Sequence, residues 1–364
     1  MIGILTFHHV YNYGALLQAY GLQKYLESVG VSSIIADVRP FHREPPGVAH
    51  PKITLRYINK GLKFLGLKKP SIKERLFDDF RNNQLYVSEQ APSLDVFLNH
   101  NKDVSGLIVG SDQVWGAKFG KAALNVYFCK GVDNGISRVS YAACIGSTKT
   151  RESDILPFVD DLNAFKAVGV RDEFSKDLIT NIYSGNVSRV VDPTLLIDWS
   201  DIAEKVDIDL PGDFAFYYGR SPAGDEIVKS LKEKKGLNVV SVGMENDRPF
   251  DMSDFHLNDA GPLEWLAAMK KSSFVVTTSF HGLMLALSLK KPVLATPVSA
   301  LAAERISDAA AWFGATEVVL SQKIENSDLD VDRLLNNINW DVVYKNIEEK
   351  VRLSKHFLDG ALHR

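Results

Sequence analysis

Short apolar runs alternate along this chain with longer stretches whose apolar positions recur at helical spacing. Residues 2–7 form the first run. Beyond the loop 8–14, Leu16, Leu17, Tyr20, Leu22 and Leu26 share one helical face, which predicts a strand and then a helix over 15–28. Gly30 stops that helix, and 33–38 reads as the next strand. The runs at 106–109, 139–145 and 167–170 read as buried strands of a parallel sheet, and 189–192 closes the series. Polar residues gather at their carboxyl ends: Ser111 and Asp112, then Arg171 to Glu173, then Asp192. An open α/β sheet builds its ligand site along that edge.

The pattern restarts after 198–212, an acidic stretch ending in Pro and Gly that reads as a linker. Strands are predicted at 214–218, 238–242, 274–278 and 292–295, with helices at 225–234, 262–269 and 283–289 between them. At 364 residues the chain exceeds what one α/β core usually holds. The expected organisation is therefore α/β with two doubly wound domains, 1–200 and 210–339. A last helix within 340–364 is expected to pack back on the first domain. A basic insertion at about 45–80 interrupts the first domain, with eight Lys and Arg against the single acid Glu74 between residues 50 and 75. Interleaved apolar residues suit this run to an anionic membrane surface; a solvated helical face is the other reading.

The most informative segment is Thr277-Thr278-Ser279-Phe280-His281-Gly282, where a strand runs directly into a helix. Ser279 is placed to cap that helix, Gly282 to allow close backbone approach, and His281 stands in the first turn, where helix N–H groups attract an anion. Such a helix end disfavours an imidazolium by roughly 0.3–1 kcal/mol. A phosphate charge ~4 Å away favours it by up to ~4 kcal/mol at an effective dielectric near 20. The ligand outweighs the helix.

Composition narrows the function. The chain is 45% apolar and 24% charged, with a formal net charge of -3, which argues against nucleic acid as a partner. Two cysteines, Cys129 and Cys144, are too few for a disulfide framework and fit packing in a reducing compartment. The first residues lack a basic leader and no apolar stretch reaches the ~20 residues that span a bilayer. A cytoplasmic protein is expected, peripheral at the inner membrane face if residues 50–75 touch lipid. His8 and His9 have no acidic or cysteine partner at metal spacing, so no metal is expected.

Five segments in order carry a resemblance: Asn12-Tyr13-Gly14 before Leu17-Gln18-Ala19-Tyr20; Gly110 to Trp115; Ser140 to Ala143; Asp192 to Leu196; and Thr278 to Gly282. Together they resemble the polysaccharide pyruvyl transferase family over nearly the whole chain. The resemblance implies a GT-B-like pair of Rossmann-like domains with the active site in the cleft between them. It also implies phosphoenolpyruvate as donor and, as acceptor, a sugar of a cell-surface polysaccharide or its lipid-linked precursor. Forming a pyruvate ketal on a sugar diol requires protonation of the enol methylene, stabilisation of a cationic carbon, attack by sugar hydroxyls and loss of phosphate. No cofactor is needed.

His281 is the candidate general acid or phosphate ligand; a capping or core histidine is the alternative. The resemblance places Arg171 at the family's anion-binding arginine. Arg220, at a strand end of the second domain, and Arg305 are further donor candidates, each able instead to sit in a surface ion pair. Ser279, Phe280 and Gly282 complete the donor side. Asp112 is the candidate base for the sugar hydroxyl, unless it only caps its turn. Asn12, Tyr13, Gly14, Gln113 and Trp115 are the acceptor-side candidates, with turn-forming or core roles open for Asn12 and Trp115. A GT-B glycosyltransferase using a nucleotide sugar, with Glu245 as a ribose partner, and a non-catalytic glycan-binding relative are the competing readings.

Overall fold

The structure, a computed structural model, describes residues 1–39, 69–243, 250–320 and 330–362. Most of the basic insertion, and Glu245, lie outside the described residues. The expected pair of doubly wound units is present. The first sheet contains β1 (Ile2–Leu5), β2 (Ser33–Ile35), β3 (Gly106–Val109), β4 (Ser137–Ala143), β5 (Ala167–Val170) and β6 (Val187–Arg189), in the order β2-β1-β3-β4-β5-β6. The second contains β7 (Phe214–Tyr218), β8 (Asn238–Val242), β9 (Phe255–His256), β10 (Phe274–Thr277) and β11 (Val293–Ala295), in the order β11-β10-β7-β8-β9. Every named strand pair is parallel, Ile4 standing opposite both Ile35 and Ile108, and Val276 opposite both Tyr217 and Leu294.

The runs in β3, β7 and β10 are buried at every position, because helices cover both faces of each sheet. The strand order reverses between β1 and β3 and again between β7 and β10. Crevices at the carboxyl ends of those pairs are where such sheets take ligands. In β4 the register shifts between Ser140 and Ala143, with Ala142 at a φ of 57°, and this bulge changes the course of the strand just before Cys144.

The two sheets share one continuous apolar core. Tyr13, in the first turn of the Tyr13–Ser28 helix, stacks on Trp265 of the Pro262–Lys271 helix, with ring centroids 5.3 Å apart. Tyr218 closes the same cluster from β7, and Phe77 from the Ile72–Gln84 helix. That helix begins inside the predicted basic insertion, yet Phe77 and Phe80 are buried against the junction and Lys73 lies over the Tyr13 ring. The apolar positions of its described part therefore serve the core. The last helix, Trp340–Leu362, touches both units: Ser354 Oγ accepts from Val191 N at 2.9 Å, and Asn346 Nδ2 donates to Phe313 O at 3.0 Å. Among the described residues no helix is long and apolar enough to cross a membrane.

Candidate active site

The two sheets direct their carboxyl edges toward one buried carboxylate. Asp192 follows β6, and its side chain is fully buried. Its Oδ1 accepts from Thr194 N at 3.0 Å and Thr194 Oγ1 at 2.8 Å, which fixes the turn Pro193–Leu195. Its Oδ2 accepts from Ser111 Oγ, beyond β3, and from Arg171 Nη1, beyond β5, both at 2.9 Å. From the second unit, His281 brings Nε2 to 3.4 Å from the same Oδ2. This is an ion-pair distance, and among the described residues Nε2 has no hydrogen-bond partner. Burial raises the pKa of Asp192, but the charges of His281 and Arg171 outweigh it and hold the carboxyl well below the usual range. Burial likewise opposes the charge on Arg171, and the facing acids Asp192 and Asp112 more than offset it.

His281 is set by close backbone approach. Ser279 caps the Phe280–Ser288 helix, Oγ accepting from Gly282 N at 3.3 Å, so its hydroxyl serves the helix. The imidazole packs on Gly14, where a Cβ would lie 2.2 Å from Nδ1. Gly282 allows a close approach, as expected. A Cβ there would meet Thr277 Oγ1 at 2.2 Å, so the group it approaches is Thr277. Phe280 presents its ring to the Arg171 guanidinium at 4.3 Å, a cation–π contact across the junction worth about 0.5–2 kcal/mol. It holds the arginine in place from the opposite unit.

Arg171 has one arm on Asp192 and one to spare: Nη2 is buried without a hydrogen-bond partner among the described residues, 3.9 Å from Asp112 Oδ1. Asp112 adopts a φ of 79°, a left-handed conformation that Asp tolerates, and its Oδ1 accepts from Gln113 N at 2.8 Å. Gln113 lies over Gly146 and accepts from Lys118 Nζ at 2.5 Å. Arg305 stands within electrostatic reach of Arg171; its pKa is lowered by burial first and then by that like charge. Lys118 is lowered in the same way, by burial and by Arg305. Three cations thus crowd the edge of the first sheet, a cluster suited to an anion with more than one charge.

Several expected site residues are engaged by the fold itself. Trp115 is sealed in the core, stacked on Phe128 with centroids 5.1 Å apart, and its Nε1 donates to Tyr127 O, so it has no face for a sugar ring. Tyr13 is equally buried and donates from its hydroxyl to Ala260 O at 2.9 Å, which makes it part of the junction rather than an acceptor contact. Asn12 caps its helix, Oδ1 accepting from Ala15 N at 3.1 Å. Arg220 pairs with Asp225 at 3.0 Å and lies over Phe250, all within the second unit.

Ser111 and Asp192 stood among the polar strand ends without an expected role, and Lys118 carried no expectation. His8 has no acidic partner at metal spacing in the sequence, but the fold brings Nε2 of that buried ring to 3.2 Å from Asp37, itself clamped by Arg39. No group of three or more metal-type ligands occurs among the described residues. Cys129 and Cys144 are buried, and burial pushes both thiols up to about 12.

The family model for polysaccharide pyruvyl transferases matches residues 12–299, from the cap of the first helix past His281. The chain belongs to the polysaccharide pyruvyl transferase family. As a member of this transferase family it carries Asp112, Arg171, Asp192 and His281 inside the matched span, and Arg305 just beyond it. No curated protein matches the chain significantly. Among solved structures, UDP-N-acetylglucosamine 2-epimerase from Rickettsia bellii superposes with a TM-score of 0.53 at 10% identity, covering 98% of this chain and 94% of that one. UDP-GlcNAc 2-epimerase from Methanocaldococcus jannaschii gives a TM-score of 0.50 at 13% identity, covering 97% and 98%. At such identities the likeness concerns the fold alone, which is GT-B.

Proposed function

We propose that this pyruvyl transferase family member moves the three-carbon unit of phosphoenolpyruvate onto two hydroxyls of a glycan sugar, forming a pyruvate ketal and releasing phosphate. One observation carries the reading: buried Arg171 Nη2 and His281 Nε2 flank one carboxylate without hydrogen-bond partners of their own among the described residues, and Arg305 lies within electrostatic reach of Arg171, with Lys118 within reach of Arg305. Leaving a buried donor unsatisfied costs about 1–3 kcal/mol, which a bound carboxylate or phosphate recovers. In this scheme Arg171 holds the donor's anionic groups and His281 protonates the enol methylene. One sugar hydroxyl adds to the cationic carbon, its proton taken by Asp112. The second hydroxyl displaces phosphate, which leaves with that hydroxyl's proton, and the proton held by Asp112 passes to solvent while His281 regains one, closing the cycle.

Mass spectrometry of glycan from cells with and without the protein tests the product. The expected result is a carboxyethylidene group present only with the protein. Unaltered glycan, together with saturable binding of a UDP-sugar, would move the site to the glycosyltransferase reading. Because the Gly14 hydrogen leaves the space filled by the imidazole, Gly14→Ala is expected to displace that ring. The expected cost is about 1–3 kcal/mol of stability and about 100-fold in phosphate release, checked by thermal denaturation and a phosphate assay.

A further inference from the structure

We propose that Asp192 is the positioning residue of this site: its Oδ2 sets both the free arm of Arg171 and the direction of the His281 ring, linking the two units at the reacting centre. The inference rests on the donor reading above. Its geometry divides the carboxylate in two. Oδ1 is committed to the backbone and hydroxyl of Thr194, so the carboxylate cannot rotate without breaking its own turn. Oδ2 is left to three groups from three different strand ends or helices: Ser111 Oγ, Arg171 Nη1 and His281 Nε2. Holding Nη1 leaves Nη2 as the part of the guanidinium fork available to an anion. Facing Nε2 while Gly14 carries the other edge of the ring fixes the imidazole plane. A fixed negative charge also keeps an anionic donor from sliding onto Nη1. Asp192 therefore orders the site while weakening its attraction for the donor, and these two effects separate on mutation.

The test is Asp192→Asn, an isosteric change that removes the charge, with phosphoenolpyruvate affinity measured by calorimetry and turnover by phosphate release. The expected result is affinity within about threefold of the wild type or tighter, since a repelling charge is gone, with kcat lower by about 100-fold through misplacement of the ring and the guanidinium. A kcat within threefold of the wild type overturns the proposal. So does a parallel loss of affinity, kcat and thermal midpoint, which is the signature of a purely structural ion. If Asp192→Asn does not fold, Ser111→Ala removes one donor to Oδ2 and keeps the charge. The same split is then expected at about fivefold in kcat, and unchanged kcat overturns the proposal. Failure of the wild type itself to bind phosphoenolpyruvate is a separate outcome: it removes the donor reading, and this inference with it.

Discussion

Arg171→Met is expected to lower stability by about 3–5 kcal/mol and to abolish binding of the anionic donor. The reason is the position of Asp192, whose side chain has no access to solvent and whose charge is balanced by Arg171 at 2.9 Å. Without the guanidinium, a buried carboxylate keeps its hydrogen bonds to Ser111 and Thr194 but loses a cation at 2.9 Å. Uncompensated buried charge is among the costliest defects a fold can carry. Removing both partners should largely reverse the defect, so Arg171→Met combined with Asp192→Asn should recover most of the stability and none of the binding.

The pH dependence follows from the lowered pKa of Asp192. Its contribution is complete above the unfolded value near 4 and is lost as pH falls toward the lower folded value. The stability gap between wild type and Arg171→Met should therefore narrow below about pH 4. Denaturant titrations of the single and double variants at several pH values check both expectations.

The second large effect is on chemistry. His281→Ala is expected to reduce phosphate release by at least about 100-fold, the lower range for loss of a general acid. Its thermal midpoint should move by only a few degrees, because Arg171 still balances Asp192 and the imidazole is itself slightly solvent-accessible. A collapse of the midpoint with the activity would mark His281 as structural. This ring faces Asp192 as well as the helix N-terminus. That carboxylate supplies a negative charge at 3.4 Å before any ligand arrives.

Much of the fold was legible because strands covered on both faces read as apolar runs and their polar ends stand out. The same signal singled out Arg171, directly after such a run, and Asp112 and His281, each three residues beyond one. Asp192 was visible too, but an Asp before Pro reads as a turn former, and its Oδ1 does serve that purpose. Its second role depends on β3, β5 and β6 lying in one sheet with their ends level, a strand order that local pattern does not encode. Lys118 was hidden for a similar reason, since the loop after Trp115 returns it to Gln113.

Tyr13 was misread, and of the two roles open for Trp115 the core one holds, because an aromatic beside a motif suits a sugar and a core equally and only packing separates the two. The Ile72–Gln84 helix disappeared among the charges of its exposed face, while Phe77 and Phe80, one turn apart, carried its contact with the junction. Short-range pattern thus gave the elements and the long-range meeting of their ends gave the site.

Calorimetric titration of phosphoenolpyruvate into the wild type and into the Arg171→Met/Asp192→Asn variant tests the central claim most directly. Saturable binding at one site per chain, lost in a variant that remains folded, is the predicted result. Absence of binding to the wild type, or equal binding to both proteins, would contradict it.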